Sequence, residues 1–498
     1  MKPAQPFAIT LALLASALWC FDVAAQDRTA DKPGQAEEKA APVPEPKVYR
    51  QSASGKFDGE TIRYTVTAGE THLLNDKDEP VASIFSTAYI KDPSDDPATR
   101  PVTFVFNGGP GSASLWLHMG FLGPRRIVVP SDGTPAGAPP YEIEDNPLSA
   151  LDVTDLVFVD PVGTGYSRVV GAGKTSDFWG ITEDAKSLAE FIRLFVTQNK
   201  RWNSPRFILG ESYGTTRAAA LVHQLQDEFY GMAVNGVLLV SSILDFQYAA
   251  FGGGDIGGYI GFLPTYAATA WHHGKLQDPP EDLATLLREV ERFAIEDYAP
   301  ALLKGTRLAE SERTEIARTL ARFTGLSETY ILRSNLRIPA ARFRKELLRE
   351  DGLSVGRFDS RYTADDLDDV GEFPDFDPSS YGIDSAYAAG INDYLTRELG
   401  VDFSREYRIL PSDVGRSWNW SPTKRGGPPT HVNVAPWLGD GMRQNKDLRV
   451  FVASGYYDLA TPYFATDTTM AQNGIDPARV TTRYYEAGHR MYTHTESL

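Results

Sequence analysis

The chain of 498 residues holds one cysteine, Cys20, and that scarcity excludes a good deal. A single thiol can build no intrachain disulfide and no zinc–thiolate site. Positive charge is the second shortage. Lys and Arg number 49 against 66 Asp and Glu, a formal net charge of −17. A nucleic-acid partner calls for a basic face, so this balance argues against one. Long apolar runs are lacking too. Phe7 to Trp19 is too short to span a bilayer, and no membrane span is expected in the mature chain. Metal-binding patterns are also missing. The acidic run Asp365 to Asp377 has neither the ligand spacing nor the glycine of an EF-hand loop, and reads as a solvated face. His272 and His273 are adjacent, which on a helix points them about 100° apart. No metal and no cofactor are expected.

What is present begins with a secretory pattern. Lys2 precedes the apolar stretch, and Val23-Ala24-Ala25 offers the small residues of a cleavage site. Residues 1–25 are therefore expected to be a signal peptide, which would take Cys20 with it. Trp19 is too bulky for the position before a lipidated cysteine. The expected location is exported, periplasmic or extracellular. Residues 26–46, rich in Ala, Pro, Lys and Glu, read as a disordered linker.

From Lys47 the pattern becomes structural. Alternation such as Thr61-Ile62-Arg63-Tyr64-Thr65-Val66 predicts an antiparallel start. Short, nearly all-apolar runs follow at Val102 to Phe106, Leu156 to Val159, Phe207 to Leu209 and Val237 to Val240, as expected of strands buried on both faces. Leu188, Phe191, Ile192 and Phe195 mark a helix between the second and third. Strand–helix–strand alternation predicts a parallel sheet with right-handed crossovers. The pattern breaks after Asp245. Residues 246–430 read as a helical cap insertion, with amphipathic helices at Glu281 to Phe293 and Ser311 to Phe323. Strands resume at Leu448 to Ala453 and Thr481 to Tyr485. The expected division is a core in two parts, 47–245 and 431–498, around the cap.

One pentapeptide gives this architecture a chemistry. Gly210-Glu211-Ser212-Tyr213-Gly214 lies between an apolar strand and a helical run, the context of a nucleophile elbow. A serine hydroxyl needs a base, and the base an orienting acid. In an α/β-hydrolase fold these follow in the order Ser, Asp, His at later strand ends. Asp458 follows the strand at Val450 to Ala453, and His489 follows Thr482 to Tyr485. Asp467 lies deeper in a helical run, and His494 farther from the strand end. The turn Asn107-Gly108-Gly109-Pro110-Gly111 ends another strand, where such folds place an oxyanion donor. The N–H groups of Gly109 and Tyr213 are the expected pair, each contributing roughly 2–4 kcal/mol to transition-state stabilisation.

These residues, with Gly123-Pro124, Asp160-Pro161-Val162-Gly163-Thr164-Gly165-Tyr166-Ser167 and Ala487-Gly488-His489, resemble the serine carboxypeptidase family. The motifs run from Val102 to His489 in the family's order. The resemblance implies an α/β-hydrolase fold with a mostly parallel central sheet and a helical cap insertion. It also implies removal of the C-terminal residue of peptide substrates through an acyl-enzyme on Ser212. Asn107 and Glu211 match the residues that hold the substrate's free carboxylate, Glu211 doing so in its protonated form. Two positions depart from the family. Phe106 stands where a Trp precedes the Asn, and Phe121 where a second Glu precedes the Gly-Pro. An esterase or acyltransferase with a relaxed need for a free carboxylate is therefore the alternative. Trp116, His118 and Met119 read equally as pocket or core, and Asp160 as a strand-end residue bonding its own loop.

Overall fold

A computed structural model of the chain describes residues 43–92, 96–227, 231–421 and 431–498. The expected signal peptide lies outside the described residues, as does the linker up to residue 42.

The apolar runs form one sheet. In chain order its strands are β1 (Val48–Phe57), β2 (Glu60–Leu74), β3 (Pro80–Lys91), β4 (Val102–Phe106), β5 (Asp155–Val159), β6 (Arg168–Val169), β7 (Arg206–Glu211), β8 (Gly236–Val240), β9 (Arg449–Gly455) and β10 (Val480–Tyr485). The order across the sheet is β1-β2-β3-β5-β4-β7-β8-β9-β10, with β6 beside β3. β1, β2 and β3 pair antiparallel, and β3 joins β5 antiparallel. From β5 to β10 every neighbour is parallel. The central sheet is thus mostly parallel, as in α/β-hydrolases.

Alternation along the central strands explains why their sequence is apolar throughout. Phe104 and Phe106 face one core with Val157, Ile208, Val237 and Val450. Val105 and Leu209 face the opposite core with Phe158, Tyr89 and Trp116. Burying each large side chain contributes about 1.5–3 kcal/mol, so apolar residues dominate both faces, and the buried Thr103 is paired with Thr154 at 2.9 Å. The first core is covered by helices α1 (Ile181–Gln198) and α2 (Tyr213–Asp227), joined by a later helix over Ala435–Gln444. Helix α1 carries Leu188, Phe191, Ile192 and Phe195 on its buried stripe.

Between β8 and β9 the chain leaves the sheet. Helices α3 (Gly257–His272), α4 (Leu283–Phe293) and α5 (Glu310–Thr324) build a third core there. Asp282 caps α4 by accepting from the Thr285 N–H, which fixes its start. The only strands of this insertion among the described residues are the two-residue pieces Ser354–Val355 and Thr363–Ala364. Tyr457, Leu459, Tyr463 and Phe464 from the segment after β9 complete its core. The acidic run is occupied with local structure. Asp366 pairs with Lys345 at 2.7 Å, and Asp368 accepts from the amides of Val370 and Gly371. No helix among the described residues is long and apolar enough to cross a membrane.

Candidate active site

Ser212 sits where β7 ends and α2 begins, in the left-handed region at φ 60°. Its neighbours must be glycine. A Cβ on Gly210 would lie 2.0 Å from the Gly214 carbonyl oxygen, and one on Gly214 2.6 Å from that of Phe106. Backbone packing this close admits no side chain, so the turn can be sharp only with this sequence. Asp458 and His489 follow the ends of β9 and β10, two places along the same parallel edge.

Asp458 is fully buried, and its Oδ2 lies 2.7 Å from Nδ1 of His489. Oδ1 accepts from the amides of Ala460 and Thr461, and Oδ2 also from Thr461 Oγ1. The carboxylate is therefore held in a fixed plane facing the imidazole. The His489 backbone is anchored as firmly. Its N–H donates to the Phe358 carbonyl at 2.6 Å, and its carbonyl accepts from Ser241 Oγ at 2.7 Å. Asp467 instead accepts from Tyr484, and His494 contacts Ser497.

Ser212, His489, Gly109, Asn107 and Glu211 line one cavity of about 260 Å³. A Cβ on Gly108 would sit 2.6 Å from Tyr213 N, so the glycine turn lies bare against that amide. Tyr213 opens α2, and its N–H has no acceptor within the helix. Asn107 is clamped on three sides. Its Nδ2 donates to Glu211 Oε1 at 2.8 Å, its Oδ1 accepts from Leu117 N, and its carbonyl accepts from Arg217. Arg217 also pairs with Asp184 of α1 at 2.6 Å, tying the glycine turn to both helices. Tyr492 Oη donates to Glu211 Oε2 at 2.6 Å. Burial pushes the Glu211 carboxyl above its ordinary range, against the lowering pull of His489, Arg490, Tyr492 and Asn107.

Several of these partners were not legible as site residues. Arg217 and Thr461 lie just past the elbow and Asp458 but outside the recognised motifs, and Phe358 is distant from them in sequence. Arg490 and Tyr492 directly follow His489, and that adjacency was the available signal. The three undecided residues separate: Trp116 lines the cavity, whereas His118 and Met119 are core. His118 stacks on Phe158 at 4.2 Å and bonds Tyr89, and burial lowers its pKa to about 3. Asp160 bonds its own loop as expected, its carbonyl accepting from Ser167 Oγ at 2.6 Å. Its side chain reaches beyond its own loop, accepting from Ser114 N at 2.9 Å and Tyr407 Oη at 3.2 Å. Burial raises it to about 7. Phe121 lies at the edge of the site, stacked on Tyr492 at 5.6 Å.

Sheet order and elbow geometry define an α/β-hydrolase. Residues 84–263 match the family model described as serine carboxypeptidase. A serine carboxypeptidase of Caenorhabditis elegans is 26% identical over 188 residues, covering 36% of this chain and 29% of that protein. A serine carboxypeptidase-like protein of Arabidopsis thaliana is 28% identical over 193 residues, covering 37% of each. The chain thus spans about a third of the length of the curated relatives it matches. The crystal structure of a prohormone-processing carboxypeptidase from Saccharomyces cerevisiae aligns with a TM-score of 0.54 at 14% identity, covering 87% of this chain and 90% of that one. At that identity the likeness speaks for the fold alone.

Proposed function

We propose that the chain is an exported serine carboxypeptidase acting on the C-terminal peptide bond through an acyl-enzyme on Ser212. The observation that carries the reading is the Asn107–Glu211 pair in the same cavity as Ser212 and the Asp458-linked His489. In this reading Ser212 Oγ attacks the scissile carbonyl while His489 Nε2 takes its proton. Asp458 holds the ring with Nδ1 protonated, so Nε2 is free to act as the base. The amides of Gly109 and Tyr213 receive the oxyanion. His489 returns the proton to the leaving amine. Water then repeats the sequence on the acyl-enzyme. Glu211, whose carboxyl burial raises above its ordinary range, shares a hydrogen with the substrate carboxylate when it is protonated. Export rests on the pattern of residues 1–25.

Blocked dipeptides, paired as free acid and C-terminal amide, test the reading from acidic to neutral pH with Ser212→Ala as control. Release of the last residue from the free acid, absent in the variant, is the expected result. Substantial turnover by a folded Ser212→Ala protein sinks it. A second reading, an esterase or acyltransferase, is favoured by Phe121, which brings no carboxyl to the site. Equal cleavage of free-acid and blocked substrates would select that reading.

A further inference from the structure

The cavity beside Ser212 has a cationic wall that the Asn107–Glu211 pair does not explain. Arg490 follows His489, lines the cavity and is only 9% exposed. Its guanidinium carbon lies 4.5 Å over the ring of Trp116 and 5.3 Å over that of Phe358, so two aromatic faces hold its plane. One nitrogen, Nη1, donates to Asp384 at 2.8 Å. The Nε–H is buried with no partner among the described residues. Trp116, 5% exposed and lining the same cavity, likewise has a buried Nε1–H without a partner. Buried N–H groups are rarely left unpaired, because desolvation without a hydrogen bond is costly. Two on one cavity wall, one of them cationic, mark a place for an anionic acceptor.

The neighbours narrow the choice of anion. Asp384, 41% exposed at its side chain, compensates part of the Arg490 charge. The nearest buried acid, Glu211, is pushed toward its neutral form by burial. Arg357, exposed on the cavity rim, adds a second positive group. A carboxylate at this wall therefore meets net positive charge, close to the reacting serine. Guanidinium and indole N–H groups are donors only, and suit a carboxylate in its ionised form.

We propose that Arg490 and Trp116 bind the ionised C-terminal carboxylate of the substrate, supplying the recognition that Phe121 cannot. This rests on reading the site as one for peptides with a free C-terminus. Selection for the free acid then does not depend on a second carboxyl group.

The test is calorimetric binding of an N-benzoyl dipeptide ending in Phe, as free acid and as amide, to full-length Ser212→Ala protein at neutral pH. The free acid should bind roughly 10- to 100-fold more tightly than the amide. Adding Arg490→Gln or Trp116→Phe should cut that preference several-fold, with the Asn107–Glu211 pair supplying the remainder. Arg490→Lys should recover part of the difference. Trp116→Phe keeps an aromatic ring beside Arg490 while removing the indole N–H and part of the ring, so a loss confined to the free acid decides the matter if Arg490→Gln fails to fold. With Ser212 present, the same substitutions should raise KM for the free acid and leave KM for the amide or an ester in place. Equal binding of acid and amide in the parent overturns the proposal. So does an unchanged preference in Trp116→Phe, or an equal loss for both ligands in a folded Arg490→Gln. If the Ser212 protein turns over no peptide or ester and takes no active-site phosphonate label, the proposed function fails. The binding experiment still decides the wall in that case.

Discussion

Asp458 holds His489 through one oxygen while Ala460, Thr461 and the Thr461 hydroxyl hold the carboxylate. Asp458→Asn keeps the volume but can present an N–H to the imidazole, reversing the tautomer. Under the proposed chemistry, kcat should fall about 10⁴-fold with little change in unfolding midpoint. Stopped assays beside thermal melts would check it, and a loss explained by unfolding would count against the assigned role. Glu211 makes a different prediction. Its carboxyl is raised above the ordinary 4.5 by burial. Well below that value folded and unfolded chains both hold the proton. As pH rises the unfolded chain releases first, so the stability Glu211 contributes is lost as pH climbs through its raised folded value. Glu211→Gln cannot ionise. Its midpoint relative to the parent should therefore rise as pH climbs above the ordinary carboxyl range. A flat difference would show that Glu211 ionises alike in both states. At this scale the sequence made visible the residues whose neighbours are local: Ser212 between its glycines, His489 after its strand. Arg217, Thr461 and Tyr492 were hidden because the site partners that reveal them come from 28 to 281 positions away. The added side-chain contact of Asp160 with Tyr407 was hidden for the same reason, since Tyr407 is far along the chain.

Between β4, β7 and α2 the backbone is packed so closely that glycine is a structural requirement. Gly214→Ala would drive a methyl group against the Phe106 and Asn107 carbonyls, whose oxygens lie 2.6 and 3.0 Å from the added Cβ. The cost should be about 1–3 kcal/mol in denaturant unfolding, with activity falling further because Asn107 moves with its strand. An unaltered stability would mean that β4 and α2 can part without strain. The parallel strands were readable because burial on both faces leaves only apolar residues in them. Helix ends were less so: α1 starts at Ile181 after Gly180, which offers no side-chain cap to mark the start. The helices of the insertion were visible by period, but their arrangement was not. That core is completed by Tyr457 and Tyr463, which no local pattern assigns to it.

The whole chain has one thiol, and Cys20 lies outside the described residues. Stability of the described part must come from its three apolar cores and from buried pairs such as Arg201–Asp155 and Arg217–Asp184. The unfolding midpoint should accordingly be the same with and without a reductant, as followed by thermal melts. A reductant-dependent shift would point to cross-linking between chains through Cys20.

The hydrogen bond from the His489 amide to Phe358 deserves to be seen as a matter of inheritance. The insertion between β8 and β9 leaves the sheet and builds a core of its own, as a separable module would. Here that module carries the hook from which the imidazole hangs, and Gly488 exists to let it close, since a Cβ there would meet the Phe358 carbonyl at 2.4 Å. A chimaera that swaps the insertion without residues 357–359 would transplant a new entrance and unhinge the base in the same cut.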